Sequence, residues 1–269
     1  MKLKIYTICI IILITFSGCV QGSPESKADE TSHTAGSSSA SIATTGETEP
    51  APSRLPSQTA EETVSLAKEL PYKDYTELLD ALREHVEAVI QDPDIEMEND
   101  FFLEWALREP FMSCGEDYSE VRDKLGYALK DLNQNGKLDL ILLNKEYFTV
   151  VAIITLVEDK PYLLNEYWSR HSCVIYDSGV IYSNSHAGAG DLDYMTQRIS
   201  PDGSGFIQEV KFGATTTNDF GWYKEIDGIQ YAIEQSEFDE FQKEYPHLSY
   251  PEAEEITKSA GLEFIPLFG

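Results

Sequence analysis

The chain has 269 residues, of which 42% are apolar and 11% aromatic, enough for a globular core but too few for several membrane spans. It carries 47 Asp and Glu against 20 Lys and Arg, and the net charge of −27 argues against nucleic acid as a partner and against electrostatic docking on anionic lipid. Four cysteines are too few for a disulfide-built scaffold.

The amino-terminal 19 residues have the pattern of an export signal. Lys2 and Lys4 begin it, and the apolar run at 5–16 is shorter than the roughly 20 residues of a transmembrane helix. The run leads into Ser-Gly-Cys, ending at Cys19, which resembles the lipobox of bacterial lipoproteins. The resemblance implies a signal peptide at 1–18 and a diacylglycerol on the Cys19 sulfur. This lipid would anchor the chain on the extracytoplasmic face of the cell membrane. The alternative is an ordinary secretory signal in which Cys19 is incidental.

Residues 19–61 are predicted to form a disordered tether. They consist mostly of Ser, Thr, Ala, Gly, Pro and Glu, and no aromatic residue occurs between Phe16 and Tyr72. Such a segment cannot bury enough apolar surface to offset the entropy of ordering. A cleaved propeptide is the alternative. Residues 62–269 contain all three tryptophans and are predicted to form one extracytoplasmic domain.

The predicted domain begins with helices and continues with strands. Helical spacing or capping patterns predict helices from Asp74 to Asp92, from Asn99 or Asp100 to before Pro110, at 116–125, from Ser236 to Pro246, and at 251–259. Asp74 is the predicted cap of the first helix, and Phe238, Phe241 and Tyr245 share one face of the fourth. Apolar and β-branched runs predict strands at 127–132, 138–143, 148–156, 162–168, 173–176, 180–183, 194–199, 206–212, 221–226 and 229–233. Short connections between them favour antiparallel pairing, and hairpin turns are predicted at Asp177-Ser178-Gly179, Pro201-Asp202-Gly203 and Asp227-Gly228. The sequence therefore predicts an α+β fold, with N-terminal helices packed on an antiparallel β-meander and short C-terminal helices.

Residues 131–139 follow the pattern D-x-N-x-N-G-x-x-D, in which oxygen-bearing side chains alternate and a glycine stands sixth. Such a loop wraps a hard cation, and the predicted ligands of a structural Ca²⁺ are Asp131, Asn133, Asn135, the Lys137 carbonyl and Asp139. The pattern resembles the EF-hand loop and, because strands are predicted on both sides, more closely the calcium loops of FG-GAP and VCBS-type repeats. A similar run is common in bacterial surface lipoproteins. The pattern occurs once, so a propeller is not expected.

A plain hairpin is the alternative interpretation of this loop. Asn135-Gly136 is by itself a strong signal for a two-residue type I′ turn. A simple hairpin, however, would not need carboxylates at both Asp131 and Asp139. The calcium interpretation is therefore preferred.

Two weaker patterns are left open. The glycine-rich segment 185–193 contains His186 and two acids, and it is interpreted as a mobile hairpin tip or, alternatively, as a ligand-binding rim or second metal point. Cys114 and Cys173 are the only cysteines of the folded part, and in an exported protein they are candidates for a disulfide. Sequence alone leaves pairing and two free thiols equally open.

The preferred functional hypothesis is a membrane-anchored extracytoplasmic module, a monomer, that binds or presents a protein or glycan ligand. The alternative is an extracytoplasmic hydrolase acting on cell-wall or glycan material. The substrate-binding component of a transporter is disfavoured because such proteins alternate strands and helices, whereas this sequence segregates them. No nucleophile-elbow, zinc-protease or phosphate-loop motif is present in the sequence.

Overall fold

In a computed structural model, the described residues are 64–92, 103–115, 117–186, 192–215 and 221–269. All of them belong to one compact unit, Pro56–Gly269. The predicted signal peptide, Cys19, the predicted tether and the predicted helix start at Asn99 or Asp100 lie outside these ranges. Within them, no helix has the length and apolar character needed to cross a membrane.

Thirteen strands and five α-helices occur in the described ranges. The strands are β1 (Val64–Leu66), β2 (Lys68–Glu69), β3 (Leu125–Lys130), β4 (Asp139–Asn144), β5 (Thr149–Val157), β6 (Lys160–Glu166), β7 (His171–Ile175), β8 (Ile181–His186), β9 (Leu192–Ile199), β10 (Gly205–Ala214), β11 (Trp222–Ile226), β12 (Ile229–Ala232) and β13 (Ile265–Pro266). The helices are α1 (Tyr75–Gln91), α2 (Glu104–Met112), α3 (Val121–Lys124), α4 (Gln235–Glu244) and α5 (Tyr250–Ser259).

The strands form two antiparallel sheets rather than one meander. Seven strands make up the first sheet, in the order β12-β11-β10-β9-β8-β7 with β1 paired to β10. Six make up the second, in the order β13-β3-β4-β5-β6-β2. The predicted α+β fold with N-terminal helices on a single meander is therefore wrong, and the protein is mostly β. The expected meander breaks after β6, because the link at 167–170 carries the chain from the six-stranded sheet to the seven-stranded one.

Burial on both faces of the central strands explains why a second sheet is present. All six residues of β4 are buried. Leu140 and Leu142 belong to a core that includes Leu78 and Leu82 of α1. Ile141 and Leu143, which alternate with them along the strand, belong to a different core. That second core also contains Ile175, Ile181 and Ile199 of the seven-stranded sheet, so the two sheets pack face to face.

A third core consists mainly of aromatic side chains and joins α4 to the seven-stranded sheet. Phe241 of α4 stacks on Phe212 of β10 with ring centroids 4.5 Å apart. Phe238, one turn earlier, lies against the Trp222 ring at 4.2 Å. This packing is expected from the predicted alignment of Phe238 and Phe241 on one face of the helix.

The observed helix ends agree with the predicted ends in two cases and differ from them in two. Asp74 caps α1 as predicted, its carboxylate accepting a hydrogen bond from the Glu77 amide at 3.0 Å. A capping box at Ser249 begins α5 within one residue of the predicted start. By contrast, α4 begins one residue before Ser236, after Glu234. Helix α2 continues through Pro110, where the prediction ended it.

Candidate functional site

The predicted calcium loop lies between β3 and β4 of the six-stranded sheet. Lys130 pairs with Asp139 in the register of these strands, which leaves eight residues between them. Positive φ angles occur at Gln134 (58°) and Gly136 (84°), but not at Asn135. A two-residue type I′ turn needs positive φ at both central residues. The segment is therefore a wide loop, and the plain hairpin interpretation is not observed.

Side chains of the loop fix its backbone through local hydrogen bonds. The two carboxylate oxygens of Asp131 accept hydrogen bonds from the backbone amides of Asn135 (3.0 Å) and Gly136 (2.8 Å). The Asn135 side-chain oxygen in turn accepts one from the Lys137 amide at 2.8 Å. These bonds hold the turn of backbone that an oxygen-lined cation site requires. The Lys137 ammonium group points away to Asp159, 2.8 Å distant, so only the Lys137 backbone is a candidate ligand.

Asp139 is the most unusual group in the loop, because it is a carboxylate with 1% of its surface exposed. One of its oxygens accepts a hydrogen bond from the Leu132 amide at 2.9 Å, and the Thr155 hydroxyl donates another. Burial, followed by the nearby negative charge of Asp131, raises the pKa of Asp139 to about 6. Its hydrogen bonds to Leu132 and Thr155 lower the pKa but do not compensate. A buried carboxylate next to a second carboxylate is an electrostatic cost that a cation would remove.

Asn133 supplies a second observation that fits a cation. Its amide nitrogen donates to the Ser200 carbonyl at 2.7 Å. Its side-chain oxygen is buried and has no hydrogen-bond partner among the described residues. Buried polar atoms without partners are rare in folded proteins and call for an explanation. Asp131, Asn133 and Asp139 are therefore the candidate ligands whose side chains the structure supports most directly. No three His, Cys, Asp or Glu side chains converge in the described ranges, so the loop offers two carboxylates with amides rather than a carboxylate cluster.

The loop also contacts the opposite sheet. Asn133 donates to Ser200 and the Asn135 amide nitrogen donates to the Pro201 carbonyl at 3.3 Å, both in the turn between β9 and β10. Gly179, in the turn between β7 and β8, lies so close to the Leu132 carbonyl that an added Cβ would overlap its oxygen. Two turns of the seven-stranded sheet therefore rest on the candidate metal loop of the six-stranded sheet.

A cavity of about 410 Å³ opens elsewhere, beside the first turn of α5. Its wall combines residues of α2, β5, β7 and β8 with the segment that leads into α5, and it includes Trp168, Tyr182, Tyr250, His186, His247 and Glu109. This volume and this mixture of apolar, aromatic and a few polar groups are typical of small-molecule sites. His186, which the sequence singled out, lies in this wall, while residues 187–191 of its glycine-rich segment are outside the described ranges.

The sequence did not predict this cavity. Its wall is assembled from segments between Ala106 and Ala253 that are far apart in the chain, and none of them carries a motif. The single residue of the wall that the sequence singled out was His186, and only the fold shows that it lies near the start of α5.

Cys114 and Cys173 do not form the possible disulfide. Both are buried free thiols. Cys114 belongs to the core that includes α1, where its thiol lies 3.1 Å from the Pro110 carbonyl, whereas Cys173 belongs to the core between the sheets. Burial raises the pKa of the Cys173 thiol well above its usual range, which makes it a poor nucleophile.

Comparison with known proteins provides no precedent for either site. No family model, curated protein or solved structure matches the sequence. The functional argument therefore depends on the loop and the cavity themselves.

Proposed function

We propose that this chain is a lipid-anchored extracytoplasmic protein whose domain is fastened by a calcium ion in the loop 131–139 and serves to bind or present a ligand. The observation that carries the calcium part is the buried carboxylate of Asp139 near Asp131. In the same loop, the buried side-chain oxygen of Asn133 has no hydrogen-bond partner in the described part of the chain. A divalent cation satisfies all three groups at once.

Calcium supplies two positive charges that neutralise the two carboxylates of the loop. Asp131, Asn133, Asn135 and Asp139 would hold the ion, together with the Lys137 carbonyl. Their hydrogen bonds already orient the backbone, so little ordering is required on binding. The position where an EF-hand has its bidentate Glu is occupied by Leu142, a buried residue of β4. With that ligand missing we expect weak binding, with Kd roughly 10⁻⁴–10⁻³ M, as in other extracellular calcium modules.

Calcium is expected to raise the melting temperature of the full chain in detergent. At a calcium concentration about ten times Kd, linkage adds roughly 1.4 kcal/mol to the free energy of unfolding, or about 3–6 °C for a domain of this size. Magnesium should do less, because it demands a small octahedron of ligands and retains its water. Thermal melts in chelator, calcium and magnesium measure the effect. Equal shifts with the two ions, or none with calcium, would refute the site.

The anchoring part rests on the Ser-Gly-Cys motif at Cys19. A chain with net charge −27 is repelled by anionic lipid, so a covalent lipid rather than charge must hold it at the membrane.

We expect the protein expressed in a bacterial host to partition into the detergent phase, and Cys19→Ala to reduce that fraction strongly. Phase separation of the two forms tests the anchor. Cys114→Ala is the matched control, because it removes a buried thiol and leaves the motif intact. Equal partitioning of wild type and Cys19→Ala would contradict lipid attachment.

The binding role is supported by the composition of the cavity wall. A retaining or inverting glycosidase uses two carboxyl groups across the scissile bond. Among the described lining residues, Glu109 is the one carboxylate. The buried thiol of Cys173 in the same wall has its pKa raised rather than lowered. These groups favour binding over hydrolysis.

A further inference from the structure

The described wall of the cavity beside α5 contains one carboxylate, that of Glu109. Glu109 on α2 is half-buried in it and, within the described residues, its carboxylate makes no hydrogen bond or ion pair. Other half-buried carboxylates do have cationic partners. Glu87 receives two hydrogen bonds of 2.6 Å from Arg122, and Glu225 receives one of 3.0 Å from Lys211.

No Lys or Arg contributes to the described wall of the cavity. An anionic ligand such as a phosphate or a carboxylate would therefore find no permanent positive charge there, only the imidazoles of His186 and His247. It would also approach a chain with net charge −27. The field of the whole protein and the local carboxylate have the same sign, and both favour a cation.

The rest of the wall suits an organic cation rather than a metal ion. Trp168 and Tyr250 present aromatic surface to the cavity, and Val150, Val151 and Leu248 add apolar surface. Tyr250 is 52% exposed and its ring is held by stacking on Tyr147 at 5.1 Å. Aromatic faces attract ammonium groups through the ring quadrupole, and apolar walls contribute by burying the hydrocarbon part of a ligand.

We infer that this cavity binds a small organic monocation, an amine or quaternary ammonium compound with an apolar body. The cationic group pairs with the Glu109 carboxylate, and the apolar body lies against the aromatic and aliphatic wall. The inference rests on the proposed binding role and specifies its ligand class, but it does not require calcium at the loop 131–139, which is not part of the cavity wall.

Three probes with one skeleton and different charges test the inference: 2-phenylethylamine, 2-phenylethanol and phenylacetate. Each is titrated calorimetrically into the full chain in detergent, with detergent alone as the reference. We expect the amine to bind about tenfold more tightly than the alcohol, because a charge-assisted contact replaces a neutral one, and phenylacetate to show no binding.

Glu109→Gln keeps the shape of the side chain and removes its charge. We expect it to lower the affinity for the amine about tenfold, to that of the alcohol, and to leave the alcohol unchanged. Glu255→Gln is the matched control, because it removes the same charge from an exposed position on α5 outside the cavity wall. It should leave the preference for the amine intact.

Equal affinities of wild type for the amine and the alcohol would overturn the inference, as would an unchanged preference in Glu109→Gln or no binding of any probe. Repeating the titrations in chelator separates this result from the calcium proposal. Amine binding without a calcium-induced rise in melting temperature would retain the cavity and reject the metal site. A calcium-induced rise in melting temperature without amine binding would reject the organic-cation site and retain the calcium site.

Discussion

Replacing Gly179 by Ala is expected to destabilise the protein by roughly 2–4 kcal/mol. Gly179 has a φ of +79°, which costs an L-residue about 1 kcal/mol, and its added Cβ would overlap the Leu132 carbonyl oxygen. The Leu132 backbone cannot easily move away, because its amide donates to the buried Asp139 carboxylate at 2.9 Å. The substitution therefore pushes a turn of one sheet away from the metal loop of the other.

Gly228→Ala provides the matched control. Gly228 has a similar φ of +73° in the turn between β11 and β12, but an added Cβ would meet nothing within 4 Å. It should cost only the backbone strain, about 1 kcal/mol. Urea unfolding of both variants gives the difference, which measures the contact between the sheets. Equal losses of stability in the two variants would show that the contact of Gly179 with Leu132 contributes nothing.

Asp139→Asn is expected to stabilise the protein in chelator at pH 7, by up to about 3 kcal/mol. The pKa of Asp139 rises from 3.8 to about 6 on folding, and each unit corresponds to roughly 1.4 kcal/mol. An ionised Asp139 therefore opposes folding when no cation is present. Asn has the same shape and still accepts from the Leu132 amide, and its amide group can donate to the Thr155 hydroxyl. The same substitution should abolish the calcium-induced rise in melting temperature.

The sign of the pH dependence follows from the raised pKa. Below about pH 3.8, Asp139 is protonated in both the folded and the unfolded state and imposes no cost. Between about pH 3.8 and 6 the unfolded state loses its proton first, so wild-type stability in chelator falls as the pH rises. Asp139→Asn should lack this component.

Urea titrations of wild type and Asp139→Asn in chelator across this range measure the pH dependence. Asp159→Asn is the control, because within the described ranges that exposed carboxylate pairs with Lys137 alone and should change stability by about 0.5 kcal/mol or less. An Asp139→Asn variant less stable than wild type in chelator at pH 7 would contradict the electrostatic cost.

Local structure was largely predictable from the sequence. The hairpin signals at Asp177-Ser178-Gly179, Pro201-Asp202-Gly203 and Asp227-Gly228 all join neighbouring strands, since each supplies the positive φ of a tight turn. The capping residue Asp74 and the aromatic face of α4 were also identified. These features depend on residues within a few positions of one another, and such signals are present in the sequence itself.

The arrangement of strands was not predictable, because the local sequence does not show whether a connection closes a hairpin or carries the chain to another sheet. The link between β6 and β7 contains Tyr167 and Trp168 and was assigned to a continuing strand. In the fold, Tyr167 is 2% exposed and belongs to the core between the sheets, so this link changes sheets instead of closing a hairpin. The apolar run within β4 predicted a strand, but not that all six of its residues would be buried between two layers.

The candidate metal site was predictable because its residues are close together in the sequence, whereas the residues of the cavity wall are far apart. All five proposed calcium ligands lie within nine consecutive residues, so their spacing is visible in the sequence. The contacts of Asn133 and Asn135 with Ser200 and Pro201 join segments more than 60 residues apart. Only the fold shows that the loop lies against the opposite sheet.

Hydrogen exchange of backbone amides with and without calcium tests most directly the claim that the ion fastens the two sheets. At about ten times Kd, calcium should slow exchange about tenfold in the loop 131–139 and in the facing turn 200–205, where local opening breaks the site. The turn at Asp227-Gly228, which joins β11 to the edge strand β12, should exchange at the same rate in both conditions. If calcium protects neither the loop nor the facing turn, or protects the loop while the turn at 200–205 is unchanged, calcium does not fasten the sheets.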